Sequence, residues 1–275
     1  MNKNIFFIIF SLIISVALKL NAQSDSLFLS PSAYYTHGFY SDNTNSDAVS
    51  IYNTIELAKN YYLINHFDQL LINQYEWDYK QNTFLTGGLV YLFPFFIKMN
   101  YAHYKGDYSA KGFDYSYSDF TNVYNVDISF NTDSWYLGSS YMHSNRIGFY
   151  ALQTNQLTFR IEKIISLLTF LSIKPTYIKT NDNRDFFSVY AKFHYQVSDE
   201  ILLKFGGFVG NRINYFDSDL LTFFNQEAVQ KYQVFTQGEY DILKWLRLIA
   251  SYQLTEFENF RINYIVLGIK SMLFF

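Results

Sequence analysis

The sequence predicts an all-β chain: a transmembrane up-and-down antiparallel β-barrel of about fourteen strands, within a range of roughly 12 to 16. Three observations predict it. Aromatic residues fill 21% of the 275 positions, with 29 Phe, 26 Tyr and 3 Trp, while charged residues fill only 16%, against roughly 25% in an ordinary soluble domain. Mean hydropathy is -0.05, too polar for a bundle of membrane helices. Apolar and polar residues alternate with period 2 in windows of about ten, separated by Asn, Asp, Ser, Gly and Lys. Rings on a lipid-facing surface and in interfacial girdles need no core, which reconciles many aromatics with few charges.

Residues 1–22, MNKNIFFIIFSLIISVALKLNA, read as a secretory signal peptide. Lys3 is the basic start, the apolar run from Ile5 to Leu18 is shorter than the ~20 residues a spanning helix needs, and Ala22 precedes the expected cut. Residues 23–275 then form one domain, because no linker or shift of composition divides them. No Cys is present, which excludes disulfides, thiol nucleophiles and Cys-based metal sites.

Strand windows are expected at 27–38, 47–58, 67–79, 83–93, 95–104, 119–131, 135–144, 149–162, 167–180, 186–197, 201–214, 231–242, 245–256 and 260–273. In the window 149–162 a helix would set Arg160 and Glu162 about 200° apart, whereas period 2 puts both on one face. A soluble β-sandwich also alternates, but it needs Pro- and Gly-dense turns, and this chain has only 3 Pro. Connections at 93–95, 197–200 and 241–244 read as tight turns, and those at 105–118 and 215–230 as long loops at the other end. The stretch from Lys59 to His66 fits worst, being too long for a tight turn.

The last strand carries a resemblance. Residues 263–275 read NYIVLGIKSMLFF, with Leu267, Ile269, Leu273 and Phe275 on one face. This resembles the terminal strand of bacterial outer-membrane barrels, which typically ends in Phe and is read by the barrel-assembly machinery. Ser271 departs from the apolar pattern. The resemblance covers these thirteen residues and no narrower family. It implies the outer membrane as location, its lipid as surroundings, both ends periplasmic, Phe275 as assembly signal and the assembly machinery as a partner during biogenesis. A monomer is expected. Nucleic acid is not, since the formal charge is -3 and no Lys/Arg cluster occurs.

With the apolar face outward, the polar face lines the lumen. The registers place the acids Glu56, Asp68, Glu76, Asp78, Asp127, Glu162, Glu239 and Asp241 inside, with the bases Lys98, Arg160, Lys174, Lys192, Lys204, Arg212, Lys231, Arg247 and Lys270. Acids gather on the second and third windows and bases on the ninth to eleventh, so an acidic wall faces a basic one. This reads either as an ion-pair network or as a transverse field across a pore. The segment 217–227 is apolar for an outer loop; Ser218 or Asp219 would cap a short helix carrying Leu220, Leu221, Phe223 and Phe224, either folded into the mouth as a constriction or packed on the surface.

Catalysis has one candidate, His143-Ser144, set against the His-x-Ser pair of outer-membrane acyl hydrolases. Adjacent strand residues face opposite sides, so these two do not share a proton. His37, His66, His103 and His194 have no ligand spacing, and the acidic tips 182–185 and 217–219 do not match a Ca²⁺ loop. No catalytic residue, cofactor or metal is therefore expected. The leading functional expectation is a narrow passive pore for small polar solutes. The alternatives are a non-conducting structural or interaction barrel in envelope assembly or export, and a lipid-active enzyme. A continuous lumen favours the first and a plugged one the second.

Overall fold

The structure is a computed structural model describing residues 28–112, 114–148, 151–225 and 228–274. The proposed signal peptide and Phe275 lie outside the described residues. Strands follow one another as β1 (Phe28–Tyr40), β2 (Asn45–Ala58), β3 (Tyr61–Asn73), β4 (Trp77–Leu92), β5 (Phe95–Ala110), β6 (Ser116–Asn131), β7 (Trp135–Ile147), β8 (Leu152–Ser166), β9 (Thr169–Thr180), β10 (Asp185–Gln196) and β11 (Ile201–Arg212). Two three-residue strands, β12 (Tyr215–Asp217) and β13 (Thr222–Phe224), pair only with each other. The wall resumes with β14 (Gln230–Leu243), β15 (Leu246–Phe257), β16 (Arg261–Ser271) and the short β17 (Leu273–Phe274).

Each wall strand pairs antiparallel with its sequence neighbour, β11 pairs with β14, and β16 returns to β1 with Leu267 opposite Tyr35. The result is a closed antiparallel barrel of 14 wall strands, as the sequence predicts. Closure leaves no unpaired edge strand, so outside the bulges the backbone groups of the described wall strands are paired in ladders.

The wall is inside-out relative to a soluble protein. On β8 the buried face carries Thr154 (0% exposed), Gln156 (2%) and Thr158 (6%), while Leu157 (38%), Phe159 (51%) and Ile161 (43%) are exposed. Such a surface is unfavourable in water and favourable against hydrocarbon. Near the loop-end edge of the apolar band, away from Phe28 and Phe274, lies a repeated polar motif, with only Phe39, Phe120 and Ile147 as large apolar side chains of its strands exposed beyond it. Tyr35-Thr36-His37, Tyr101-Ala102-His103 and Tyr141-Met142-His143 each aim a tyrosine hydroxyl and an imidazole at one side chain of the next strand. Tyr35 Oη donates to Asp47 Oδ1 (2.5 Å), Tyr101 to Asn122 Oδ1 (2.9 Å) and Tyr141 to Asn155 Oδ1 (2.7 Å), with the histidine Nδ1 atoms at 2.8, 3.0 and 3.0 Å. These groups satisfy one another where the wall turns from apolar to polar.

The turns differ from expectation in three places, one being the turn 74–76, which falls inside the expected strand window 67–79. Lys59–Asn60 is a two-residue turn with Asn60 at φ +73°, and β3 starts at Tyr61, not at 67. β5 and β6 continue through most of the expected loop 105–118, leaving only 111–115 between them. There the outward face carries Lys105, Asp107 and Ser118 (Ser118 Oγ to Asp107 Oδ1, 2.6 Å), so it lacks the apolar alternation that signals a strand, yet the ladder persists. The end of the barrel bearing Phe28 and Phe274 has tight turns and is called the terminus end; the opposite end is the loop end.

Candidate functional site: a hairpin inside the lumen

The long connection at the loop end does not lie on the surface. A register shift between Val209 and Arg212, with Gly210 at φ +104°, turns the chain out of the wall. Only glycine takes that φ without strain. Asn214 at φ +45° completes the bend. Arg212 anchors the bend: its guanidinium lies over the rings of Phe208 (3.4 Å) and Tyr215 (4.1 Å), and Nε donates to Gln230 Oε1 (2.6 Å).

β12 and β13 then descend into the barrel as a hairpin. The expected helix does not form. Asp217 Oδ1 accepts from the amides of Asp219 (2.9 Å) and Leu220 (3.2 Å), making one turn, and Leu221 at φ +53° sends the chain back. Phe216, Leu221 and Phe223 pack on Ile64, Leu85, Ala102, Tyr104, Val123 and Met142 from β3 to β7. Tyr215 and Ile213 pack on Ile178 and Phe186 from β9 and β10. Gln156 grips the hairpin as a neighbouring strand would: its Nε2 donates to Phe216 O (2.9 Å) and its Oε1 accepts from Phe216 N (2.9 Å).

The hairpin tip ends in a cage of cations. Arg160 donates to Asp219 Oδ1 (2.6 Å), Asp127 Oδ2 (3.0 Å) and Ser218 Oγ (3.2 Å). Lys174 pairs with Asp219 Oδ2, Lys192 lies 3.7 Å from the same oxygen, and Lys98 donates to the Ser218 carbonyl. Ser218 Oγ donates to Asp127 Oδ2 (2.9 Å), and Glu162 flanks Arg160 at 3.4 Å. Burial alone would raise the Asp219 pKa; the charges of Lys174, Arg160, Lys192 and Lys98 outweigh it and hold the carboxyl well below the usual range. The sign of the pH effect follows. An undocked Asp219 would titrate near ~3.9, so its contribution to docking is complete above that pH and is lost as pH falls through the lower docked value. Hairpin docking, followed by protease accessibility of the segment, is expected to hold as pH falls to about 5 and to weaken below about pH 4.

A second cluster sits toward the terminus end. Arg247 forms a fork with Asp241 (2.5 and 2.8 Å) and reaches Glu239 Oε2 (2.7 Å), whose other oxygen takes Lys204. Lys270 faces Arg247 across the ladder. On this side the hairpin does not fill the barrel. The inward residues Ser32, Tyr34, Ser50, Gln237, Ser251 and Tyr264 are half-buried, whereas Thr83, Leu85, Asn100, Asn125, Ser140 and Thr158 across the lumen are buried. Leu220 is 53% exposed at the tip and the Asp219 side chain 21%. Toward the loop end this crevice closes over Thr255, Phe257 and Ile262, each at most 2% exposed.

Of the seventeen lumen residues expected, three lie elsewhere. Glu76 sits exposed in the turn between β3 and β4. Asp78 shares the outward register of Phe84 and pairs with Lys111 at 2.9 Å at the rim, because the phase of β4 is set by inward Gln81, Thr83 and Leu85. Lys231 is exposed at the bulge between Gln230 and Tyr232, which breaks the alternation. The acidic wall thus keeps only Glu56 and Asp68, with Asp68 accepting from Ser50 Oγ (2.5 Å). Much of the basic wall meets acids locally: Lys174 and Lys192 face Asp219, and Lys204 faces Glu239. Sequence reasoning missed Asp217 and Asp219 as lumen acids, and the buried pair Arg146–Asp119 (2.6 Å). His143 and Ser144 project to opposite sides of the wall, with His143 on Asn155 outside and Ser144 buried inside. Among the described residues no group of three or more His, Cys, Asp or Glu is placed to hold a metal.

No family model and no curated protein matches the chain. Solved structures do match in fold. The CymD monoaromatic hydrocarbon channel superposes with TM-score 0.62 at 8% identity, covering 96% of this chain and 92% of that one. The Pseudomonas putida toluene transporter TodX gives 0.59 at 8%, covering 94% and 92%, and a Pseudomonas aeruginosa FadL homologue gives 0.59 at 7%, covering 91% of each chain. At such identities the likeness shows a shared barrel fold.

Proposed function

We propose that this chain is an integral outer-membrane β-barrel, exported by its N-terminal signal peptide, that conducts small polar solutes and is closed at rest by the 213–225 hairpin. The carrying observation is how the hairpin is held. Its tip sits on polar and charged side chains that would line a hydrated lumen without it, and a half-exposed crevice already reaches the tip from the terminus end. Membrane location is supported by the exposed apolar outer face and by fold likeness to known channels and transporters.

The charge balance gives the selectivity. Removing the hairpin removes Asp217 and Asp219. Lys98, Arg160, Lys174, Lys192, Lys204, Arg212, Arg247 and Lys270 then face Glu56, Asp68, Asp127, Glu162, Glu239 and Asp241, a small excess of bases favouring anions. The test is planar-bilayer conductance of refolded protein. The native chain is expected to conduct rarely. A chain in which an Asn-Gly turn joins Arg212 to Gln230 is expected to conduct steadily with anion preference. No current from the shortened chain would sink the reading.

A second reading has its own observation. The lumen spends Leu85, Val123, Met142, Ile178 and Phe186 on the hairpin, as a permanent plug would require. In that reading the barrel is a non-conducting structural or interaction protein, and the shortened chain misfolds instead of conducting.

A further inference from the structure

The cage around the hairpin tip is built for an anion. Lys98 on β5, Arg160 on β8, Lys174 on β9 and Lys192 on β10 come from four strands and converge within the barrel on one carboxylate and the carbonyl beside it. Asp127 and Glu162 are close to Arg160, but they do not balance four cations. Asp219 supplies one of the two missing negative charges and Asp217, on the same turn, the other, both from a loop, not from the wall. The wall therefore holds a preformed cationic site whose occupant is tethered and removable.

We propose that this cage is a binding site for a small oxyanion, a carboxylate or a phosphate, and that Asp219 is an internal stand-in which such a solute displaces to release the hairpin. The inference rests on the channel reading above and names its ligand. Access is already present: Asp219 and Leu220 at 21% and 53% exposure face the crevice that opens toward the terminus end, so the solute arrives from that side. The tether sets the concentration needed. A short flexible tether gives its end an effective concentration of order mM; the packed Phe216, Leu221 and Phe223 hold this one more firmly, so the solute must compete at millimolar levels or above. Charge ranks the candidates. Phosphate and a dicarboxylate replace Asp219 with charge to spare, whereas acetate only matches it.

The chain has no Cys, so Leu221→Cys, buried at 7% exposure in the docked hairpin, reports release by its rate of maleimide labelling. Inorganic phosphate, glutarate and acetate are added in turn at constant ionic strength, with chloride as reference, and bilayer currents of the native chain are recorded in parallel. Phosphate or glutarate on the terminus side is expected to raise labelling and open probability by about tenfold or more, beyond acetate. The response of phosphate against glutarate then says which oxyanion the cage prefers. Lys174→Gln with Lys192→Gln is expected to abolish the response. The proposal is overturned if the shortened chain conducts while the native chain answers none of these anions. If the shortened chain is silent, the channel reading fails; a labelling response to phosphate or glutarate would still establish the cage.

Discussion

Asp219→Asn is expected to raise the fraction of molecules with the hairpin out of the lumen by about a hundredfold. Removing one partner of a buried ion pair costs about 3–5 kcal/mol, because the remaining charges stay desolvated and unpaired. Asparagine keeps an oxygen that accepts from Arg160, so the lower value applies, and ~1.4 kcal/mol per factor of ten gives about two decades. The apolar contacts decide how far this goes. Phe216, Leu221 and Phe223 are at most 7% exposed, and each contributes about 1.5–3 kcal/mol by burial. Together they outweigh the ionic tip. The variant is therefore expected to open in brief bursts, not to stay open, in single-channel records. Adding Phe223→Ala removes a further ~3–5 kcal/mol and should make opening persistent. Anchor and trigger are separate parts of one hairpin: rings supply most of the affinity, and the carboxylate supplies the sensitivity to charge.

The barrel was legible because lipid imposes alternation on every strand that meets it. It was least legible where the lumen meets the hairpin. Ile64 is an inward apolar residue, so 61–66 lost its polar face and read as a loop, although it is the first half of β3. Leu85 and Met142 interrupt the inward polar series of their strands for the same reason. These apolar residues are the imprint of the hairpin on the wall, and a lumen-facing position with an apolar side chain is the signal that a plug exists. The apolar segment 217–227 was visible as unusual for a loop, and 220–224 do enter the barrel. Its conformation was not legible, because one Asx turn and one left-handed leucine replace the helix that local capping favours. The cage itself needed topology: Lys98 and Lys192 are brought to one carboxylate only by closure of the barrel around the tip.

Ile161→Arg is expected to destabilise the folded barrel by about 2–4 kcal/mol, whereas His143→Arg should cost only about 0–1 kcal/mol, although both residues face outward on adjacent strands. Depth makes the difference. Strands tilted by ~35–45° climb about 2.5 Å per residue along the barrel axis. Ile161 is then about 13 Å above the terminus end of β8, near the middle of an apolar band ~25 Å tall, and His143 is about 20 Å above the terminus end of β7. At Ile161 the guanidinium must drag water into hydrocarbon or bend the bilayer, and the neighbours Leu137 and Ile173 offer no hydrogen bond. At His143 it reaches Asn155, which already accepts from Tyr141 and His143 there. Reversible unfolding of both variants in lipid, read by tryptophan fluorescence, checks the pair. Equal costs would show that the Tyr-x-His rungs do not mark the edge of the apolar band. A small cost at Ile161 alone would remove the bilayer from around β8, and with it the reason for the inside-out wall.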